Sequence, residues 1–377
     1  MSADLAPAAV SLTQDEAFAR IRLLRSPNVG PVSYRQLLAR FGAAEPALAA
    51  LPDLAARGGR PYVPTPAARI EAEIAAVRKA GARFLFHDSP EYPPLLRESE
   101  GAPPILIARG QAELALRPAV AIVGARNASA AAVRLARDFG GALAEAGFAV
   151  VSGLARGIDG AAHQGALARA MEGGGTIGVI ASGIDVAYPP EHAALQEEVA
   201  TSGLLLAEQP AGTEPLARHF PARNRIIAGI AAGTLVVEAA WKSGSLITAR
   251  LAGEMGREVM AIPGSPLDSR SHGCNQLIRD GAVLCQRPED VIELLHGFIG
   301  QPRSTFREPA PAYIQQDRAE AGEPADIAAL LTTAPVAVDE LIRQSGQSPA
   351  AVQLALLELE LAGQLARHAA GRVSLPG

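Results

Sequence analysis

Two consecutive apolar runs of this sequence each end in a turn that carries glycine and arginine. The first run, Val120–Val123, leads into Gly-Ala-Arg-Asn-Ala-Ser at positions 124–129. The second, Phe148–Val151, leads into Ser-Gly-Leu-Ala-Arg-Gly-Ile-Asp at positions 152–159. A helical pattern follows each turn. A strand, a glycine-rich turn and a helix N-terminus bring free backbone N–H groups and the positive end of the helix dipole together, so both turns predict an anion site.

The same alternation of apolar runs and helical patterns continues to about Leu295. Such a sequence is typical of a parallel sheet covered by helices on both faces. We therefore predict an α/β fold with a Rossmann-like, doubly wound, mostly parallel sheet. Ligands of such sheets bind beyond the carboxyl ends of the strands, where the arginine-bearing turns fall. The predicted strands are Val120–Val123, Phe148–Val151, Thr176–Ala181, Gly203–Leu206, Thr234–Val237, Glu258–Ala261 and Ala282–Cys285.

Two further clusters place cations near predicted strand ends. Arg223 and Arg225, with Asn224 between them, stand in the first turn of a predicted helix. A positive charge is unfavourable there unless an anion offsets it, although pairing with acidic side chains is the alternative. Lys242 precedes Ser-Gly-Ser at 243–245, a turn suited to an anion and to capping a helix. Together the four clusters predict a track several phosphates long.

Other side chains near these turns allow two interpretations each. Trp241 either stacks a nucleobase beside the phosphates or packs against the sheet. Asp159 and Glu238 either form an acid/base pair or act as a helix N-cap and as the partner of an arginine. His163 is predicted to be a helix-face residue. The first stretch contains no Walker lysine and no clean G-x-G-x-x-G, so the sequence argues against a nucleotide cofactor.

Composition limits the choice of partners and location. The 377 residues carry a net charge of −5, so the average field of the molecule does not attract nucleic acid and any polyanion site must be local. The cysteines, Cys274 and Cys285, predict reduced buried thiols, with no disulfide framework and no metal set. Neither a signal peptide nor a membrane span is predicted, and we expect a cytoplasmic protein.

The chain ends predict separate small domains. Two short helices around Ser26–Pro31 resemble a helix-hairpin-helix, whose turn at Asn28 either contacts a DNA phosphate or belongs to a purely structural bundle. Three helical patterns and a hairpin near the C-terminus predict a winged helix, and its acidic charge favours a protein partner over DNA. The predicted division is an N-terminal helical domain at 10–60, a connector with edge strands at 61–118, the Rossmann-like domain at 119–297, a flexible linker at 298–325 and the winged helix at 326–377.

In their joint order, the clusters resemble the DprA/Smf family, the DNA-processing proteins of bacterial natural transformation. The resemblance is strong from Ala119 to about Leu295 and looser at both ends. It implies a non-enzymatic protein that binds single-stranded DNA, protects the incoming strand and loads the recombinase RecA, without a nucleotide or metal cofactor. It also implies a homodimer formed through the C-terminal part of the Rossmann-like domain, for which the candidate residues are Leu277, Ile278, Ile292 and Leu295.

The resemblance also assigns roles to the residues of the clusters. Cationic side chains would line the DNA groove, together with polar groups from the same turns, and small residues would let the DNA backbone approach. The cations are Arg126, Arg156, Arg223, Arg225 and Lys242; the polar residues are Asn127, Ser129 and Asn224; and the small residues are Gly124, Gly153, Gly157, Gly244 and Ser245.

Two other functions remain open from the residues alone. Gly233-Thr234 followed by Glu238 has a faint likeness to Rossmann-like enzymes that cleave nucleoside monophosphates, although the glycine lead of that motif is missing. A protein-interaction scaffold without a ligand is the other alternative.

Overall fold

The computed structural model describes residues 12–57, 62–99, 101–169, 174–296, 326–368 and 371–376. Two compact units contain them. One unit combines Met1–Glu71 with Ser304–Gly377, and the other is Ala72–Arg303. The predicted linker at 298–325 lies outside the described residues. No helix in the described part of the chain is both long and apolar enough to cross a membrane.

A nine-stranded sheet forms the centre of the larger unit, with the strand order β1-β2-β6-β5-β4-β3-β7-β8-β9. The strands from β3 to β9 are parallel, whereas β2 pairs antiparallel with β6 and β1 antiparallel with β2. The strands are β1 (Arg83–Phe86), β2 (Ile105–Gly110), β3 (Ala119–Val123), β4 (Ala149–Ser152), β5 (Gly175–Ile180), β6 (Leu204–Ala207), β7 (Gly233–Val236), β8 (Glu258–Ala261) and β9 (Val283–Leu284).

The predicted fold class is confirmed. Each predicted strand is present, with ends that differ by two residues at most. Strands β3 to β7 are buried along their whole length because helices cover both faces, which explains why their sequences are apolar without alternation. The predicted edge strands also join the sheet as β1 and β2.

The direction in which strands are added reverses at β3. From β3 the chain adds β4, β5 and β6 on one side and then returns to add β7, β8 and β9 on the other. Strands β3 and β7 are hydrogen-bonded neighbours, with Val120 opposite Gly233. Such a reversal opens a crevice beyond the carboxyl ends of the two strands, and open α/β sheets bind their ligands there.

Helices cover this sheet on both faces. The contact between α6 and α7 is unusually close, because a Cβ on Gly165 would lie 2.0 Å from the carbonyl oxygen of Arg137. The helices of the larger unit are α5 (Pro94–Arg97), α6 (Ala130–Glu145), α7 (Ile158–Ala168), α8 (Ala193–Ser202), α9 (His219–Ile230), α10 (Gly244–Glu254), α11 (His272–Arg279) and α12 (Pro288–His296), preceded by α4 (Ala67–Lys79), which spans the division between the units.

The smaller unit contains an N-terminal bundle and a winged helix, both as predicted in type. The bundle consists of α1 (Gln14–Arg25), α2 (Pro31–Phe41) and α3 (Ala44–Arg57). In the winged helix, β10, β12 and β11 form a three-stranded sheet. Its elements are α13 (Ile327–Leu330), β10 (Val336–Ala337), α14 (Val338–Ser345), α15 (Pro349–Leu361), β11 (Ala366–His368) and β12 (Arg372–Ser374).

Two predictions about single residues have different outcomes. Cys274 and Cys285 are free and buried, as predicted, and burial raises the pKa of their thiols to about 12 and about 11. Leu295, by contrast, cannot belong to a surface patch because it is completely buried in the core beneath α12. Its proposed neighbours Leu277, Ile278 and Ile292 are only partly buried.

Candidate nucleic-acid interface

Two adjoining cavities lie at the carboxyl ends of the central strands. The smaller has a volume of about 320 Å³ and lies beyond β4 and β5. The larger, about 650 Å³, lies beyond β3 and β7, at the reversal of strand order. Both cavities form one continuous surface, which we call the groove, because they share the residues Arg126, Asn127, Ala155, Phe220 and Arg223.

The turn after β3 supplies the wall between the two cavities. Arg126 and Asn127 are exposed at its tip, and the guanidinium of Arg126 stands 5.0 Å from the centre of the Phe220 ring, a cation–π geometry. Neither Arg126 nor Lys242 pairs with a carboxylate among the residues that the structure describes. Both charges are therefore available to an anion.

Glu238 holds this turn in place. Its two carboxylate oxygens accept hydrogen bonds from the backbone N–H of Ser129 at 3.0 Å and from the Ser129 hydroxyl at 2.7 Å. Ser129 also caps α6, where its hydroxyl oxygen accepts the N–H of Ala132. Ser129 is thus a structural residue that lines neither cavity. The hydrogen bonds of Glu238 thus go to a serine, and its predicted role as the partner of an arginine is limited to Arg270, whose pKa its negative charge helps to raise after the larger effect of Asp268.

The turn after β4 places Arg156 at the rim of the smaller cavity. Arg156 is exposed and forms an ion pair with Glu191, which raises the pKa of the arginine and lowers that of the glutamate. A phosphate would have to displace this carboxylate to reach Arg156. Asp159 is buried in the first turn of α7 and accepts the N–H groups of Gly153 and Ala155 at 3.2 and 3.4 Å. The N-cap of α7 is Gly157, so the prediction of Asp159 as N-cap is wrong.

Arg223 forms the floor of the groove. Only 6% of the residue is exposed, and one terminal nitrogen donates to the carbonyl of Val179 at 2.8 Å. Within the described part of the chain, its Nε has no hydrogen-bond partner. Burial lowers the pKa of its guanidinium to about 10, against the opposing influence of Asp159, so Arg223 is charged at neutral pH. The floor therefore carries a positive charge that faces both cavities.

Arg225 is not part of the groove. Its guanidinium donates to the carbonyl of Gly101 at 2.8 Å and to the carboxylate of Glu208 at 2.5 Å, and it lines neither cavity. Helix geometry explains the difference from Arg223, because side chains two residues apart on a helix point about 200° apart. Five residues of α9 line the groove: Phe220, Pro221, Arg223, Asn224 and Ile227. All but Pro221 follow the three- and four-residue spacing of one helix face.

The turn after β7 forms the far wall of the larger cavity. Lys242 adopts a left-handed backbone with φ of 64°, as does Leu154 in the turn after β4. Such conformations are costly for residues other than glycine and concentrate at functional sites. Ser243 and Ser245 face each other, with their hydroxyl oxygens 2.8 Å apart. Trp241 is 62% exposed and lines the cavity, so the interpretation that it packs against the sheet is wrong.

The glycines differ from their predicted role. A Cβ on Gly124, Gly153 or Gly157 would lie within 2.5 Å of the protein's own atoms, namely Ile158, Arg223 and the carbonyl of Ala125. These glycines let neighbouring turns of the protein approach one another. Only Gly244, of the four predicted glycines, has no atom within 4 Å of the Cβ position and leaves room for a ligand backbone.

Several residues that line the groove are not predicted by the sequence pattern. Tyr188 and Phe220 pack as a tilted ring pair, 5.6 Å between centres, on the wall of the smaller cavity. Arg270 reaches the larger cavity from the loop after β8 while paired with Asp268. Phe220 could have been found, since it stands three residues before Arg223 on the same helix face. Nothing local indicated Tyr188, which follows β5 after a loop of seven residues.

The two acidic side chains near the groove hold the protein's own turns. Asp159 and Glu238 both use their carboxylates to hold backbone or serine groups. No cluster of three metal-ligating side chains occurs among the described residues. His163 is completely buried: its Nδ1 bonds to the hydroxyl of Thr176 at 2.7 Å, and that hydroxyl donates to the carbonyl of Val150. Because this hydroxyl gives its only hydrogen to Val150, it accepts from His163, and Nδ1 must carry the ring proton. The imidazole is therefore a neutral group of the core.

The fold and the groove define a class of protein. A doubly wound parallel sheet presents a cationic groove with exposed aromatic rings at its reversal of strand order, and a helical bundle and a winged helix accompany it. This combination defines a Rossmann-like α/β protein that has a cationic groove and two accessory helical modules.

Comparison with known proteins identifies the family. Residues 83–296 match the family described as DNA recombination-mediator protein A, residues 14–76 the DprA-like N-terminal HHH domain, and residues 308–371 the DprA winged helix domain. The protein Smf of Escherichia coli is 37% identical over 327 residues, which are 85% of each chain. This chain therefore belongs to the DprA/Smf family of DNA-processing proteins.

Solved structures agree with the family assignment. The X-ray structure of DNA processing protein A from Streptococcus pneumoniae matches with a TM-score of 0.61 at 36% identity, covering 75% of this chain and 98% of that one. DNA processing protein A from Helicobacter pylori, whose structure was described for its single-stranded DNA binding mode, matches with a TM-score of 0.52 at 28% identity, covering 58% of this chain and 97% of that one.

Gly153 should be intolerant of any side chain. A Cβ there would lie 1.5 Å from a terminal nitrogen of Arg223, which is held by its bond to Val179. We expect Gly153→Ala to lower the free energy of unfolding by about 1–3 kcal/mol, as overpacking does. Gly244→Ala is the matched control: it has open space at the start of α10 and should leave stability unchanged or slightly higher. Denaturant unfolding of both variants measures the difference, and equal stabilities would contradict the tight fit.

His163 should make the protein less stable in acid. Burial, with smaller contributions from the charges of Arg223 and His192, lowers the pKa of His163 from 6.5 to about 3. Between these values the unfolded chain binds a proton that the folded protein refuses, so stability falls as pH falls from 6.5 towards 3, by at most about 1.4 kcal/mol per pH unit. Unfolding of the native protein and of His163→Gln across this range tests this. The variant should show the shallower slope, and parallel slopes would refute the assignment.

Proposed function

We propose that this protein binds single-stranded DNA along the groove, without catalysing a reaction on it. The observation that carries the proposal is the cationic groove itself, in which Arg126 and Lys242 are exposed without carboxylate partners among the described residues and Arg223 forms a charged floor. The similarity to the Helicobacter pylori protein, whose single-stranded DNA binding mode has been described, supports the same function.

The phosphates would occupy the cationic parts of the groove. Arg126 can offer a guanidinium fork to a phosphate, Lys242 a point charge, and Arg223 a buried charge from below. Arg156 would join only after Glu191 is displaced, and Arg225 lies outside the groove. About three phosphates are then neutralised, one for each of Arg126, Lys242 and Arg223. The negative net charge of the chain makes these few cations the main source of affinity.

Aromatic rings in the groove, of which Trp241 and Tyr188 are exposed, favour a single strand over a duplex. Trp241 stands at the rim of the larger cavity, and Tyr188 and Phe220 line the smaller one. Bases can stack on such rings only when they are not paired with a second strand. Stacking accepts any base, and phosphate contacts carry no sequence information. Binding should therefore be tolerant of sequence.

We further propose that the bound strand is protected and handed to RecA, and that the protein acts in the cytoplasm as a homodimer. Membership of a family described as recombination mediators supports the first proposal. For the dimer, the partly buried Leu277, Ile278 and Ile292 remain candidates, and the exposed Val283 and Leu284 of the edge strand β9 add apolar surface in the same part of the chain.

Arg126→Ala should weaken binding of a single-stranded oligonucleotide by on the order of 1–3 kcal/mol, because a charge-assisted contact is lost. Arg134→Ala is the matched control, since it removes the same charge from an exposed position on α6 outside the groove. Titrations at several salt concentrations should give a slope of log K against log salt near roughly −2 for the native protein, from about −0.7 per phosphate, and a slope shallower by about 0.7 for Arg126→Ala. Equal effects of the two variants, or an affinity that does not change with salt, would contradict the groove as the DNA-binding site.

Trp241 provides a direct probe of the groove. It is the only tryptophan of the sequence, and it is largely exposed at the cavity rim. Titration with an oligothymidine should therefore quench the intrinsic fluorescence. An equal mass of duplex DNA should quench it much less. Trp241→Phe should bind with similar affinity and Trp241→Ala more weakly, by about 1–3 kcal/mol if one base stacks on the ring. An unchanged emission at saturating DNA would show that no base approaches the ring.

A further inference from the structure

The helix α15 of the winged helix is apolar on more than one side. Val352 and Leu356 are buried in the core of the winged helix itself. Leu357 and Leu361 are also buried, but in the core of the N-terminal bundle, together with residues such as Leu37 of α2. A helix that is apolar all round needs partners on all sides. The winged helix covers one side of α15, and the N-terminal bundle covers the other.

Polar contacts fix the position of α15 on the bundle. The side-chain amide of Gln36 donates to the side-chain oxygen of Gln353 at 2.8 Å. The side-chain amide of Asn28 donates to the carbonyl oxygen of Leu361 at 2.9 Å. Leu361 is the last residue of α15, so its carbonyl lacks a partner within the helix and is satisfied by Asn28. Directional bonds of this kind distinguish a defined interface from loose apolar contact.

The hairpin turn between α1 and α2 lies under this interface. Asn28 occupies the left-handed region of the turn, with φ of 59°. The backbone N–H groups at positions 29 and 30 are already bonded within the turn, to the carbonyl of Ser26 and to the hydroxyl of Ser33. A helix-hairpin-helix would offer such N–H groups to a DNA phosphate. In this chain both N–H groups are already bonded and are not available to a phosphate.

A carboxylate also occupies the place where a phosphate would approach. The Oε1 atom of Glu360 lies 3.8 Å from the Cβ position of Gly30, the N-cap of α2, and its other oxygen accepts from Nε of Arg367 at 2.9 Å. The positive end of the α2 dipole favours this negative group. An incoming phosphate would meet this carboxylate, whose charge is partly offset by Arg367.

The same helix is unsuited to reading DNA. In a helix-turn-helix, here α14 and α15, the second helix enters the major groove. Between Pro349 and Leu361 there is no lysine or arginine, but there are two glutamates, Glu358 and Glu360. A surface of this charge repels phosphates. Its buried apolar residues, moreover, are divided between the core of the winged helix and that of the bundle.

We propose that the winged helix recognises the N-terminal bundle of its own chain and closes the hairpin turn against nucleic acid. Both module types are known for contacting DNA. Here the winged helix and the N-terminal bundle instead pack against each other. DNA binding by the full chain then needs neither of them and depends on the groove of the larger unit alone.

Cross-linking in the full-length protein tests the docking. Cysteines replace the bonded pair in Gln36→Cys/Gln353→Cys, and a short bismaleimide joins them if the helices are docked. The matched control is Gln36→Cys/Gln344→Cys, because Gln344 is exposed on α14. The native Cys274 and Cys285 are buried with raised pKa values, so they should not react. We expect an intramolecular cross-link in the first variant and none in the control.

The cross-linked protein is then titrated with a single-stranded oligonucleotide beside the untreated variant. The proposal expects the same affinity within about twofold, because the docked modules take no part in binding. A loss of tenfold or more would show that the winged helix has to leave the bundle, and would overturn the proposal. So would the absence of the cross-link. A cross-link between chains, seen on mixing the two single-cysteine variants, would overturn it by making a second copy the partner.

The cross-linking arm requires no DNA. Its outcome is therefore independent of the function proposed for the groove.

Discussion

The groove depends on one buried positive charge. Arg223 keeps its guanidinium almost completely inside the protein, where it is held by the carbonyl of Val179, stabilised by the nearby Asp159 and packed directly over Gly153. Burying a charge is expensive unless partners compensate it. Here compensation is incomplete, since one nitrogen has no partner among the residues that the structure describes and the guanidinium faces two open cavities. An anion in the groove would complete the solvation of this group.

Around this charge, the protein fixes its turns with its own side chains. Glu238 at the end of β7 holds the turn after β3, and Asp159 holds the turn after β4. The glycines of both turns permit close contacts between the turns themselves. Oxygens of both carboxylates are thereby used to hold the protein's own turns. The exposed Arg126 and Lys242 stand on a rigid frame, so few side chains would have to be ordered when a ligand binds.

In the smaller unit, elements of types that often bind DNA are used for packing instead. The hairpin turn of the bundle satisfies its own N–H groups, and α15 places two leucines in the core of the bundle. The acidic charge of the winged helix had already favoured a protein partner. The contacts of Asn28, Gln36 and Leu357 make the N-terminal bundle of the same chain that partner. The fold type of a module is thus a poor guide to its ligand.

The sequence by itself determined the sheet, its strand ends and the positions of the glycine-rich turns, because apolar runs and glycine turns are local signals that the backbone must obey. Tertiary structure alone decided which cations face the groove. Arg223 and Arg225 are two residues apart, yet one forms the floor and the other pairs with Glu208 on another side. Arg156 is bound by Glu191, which is 35 residues away in the sequence. The partner and the burial of a side chain depend on segments that meet only after folding. A local sequence pattern therefore cannot predict either of them.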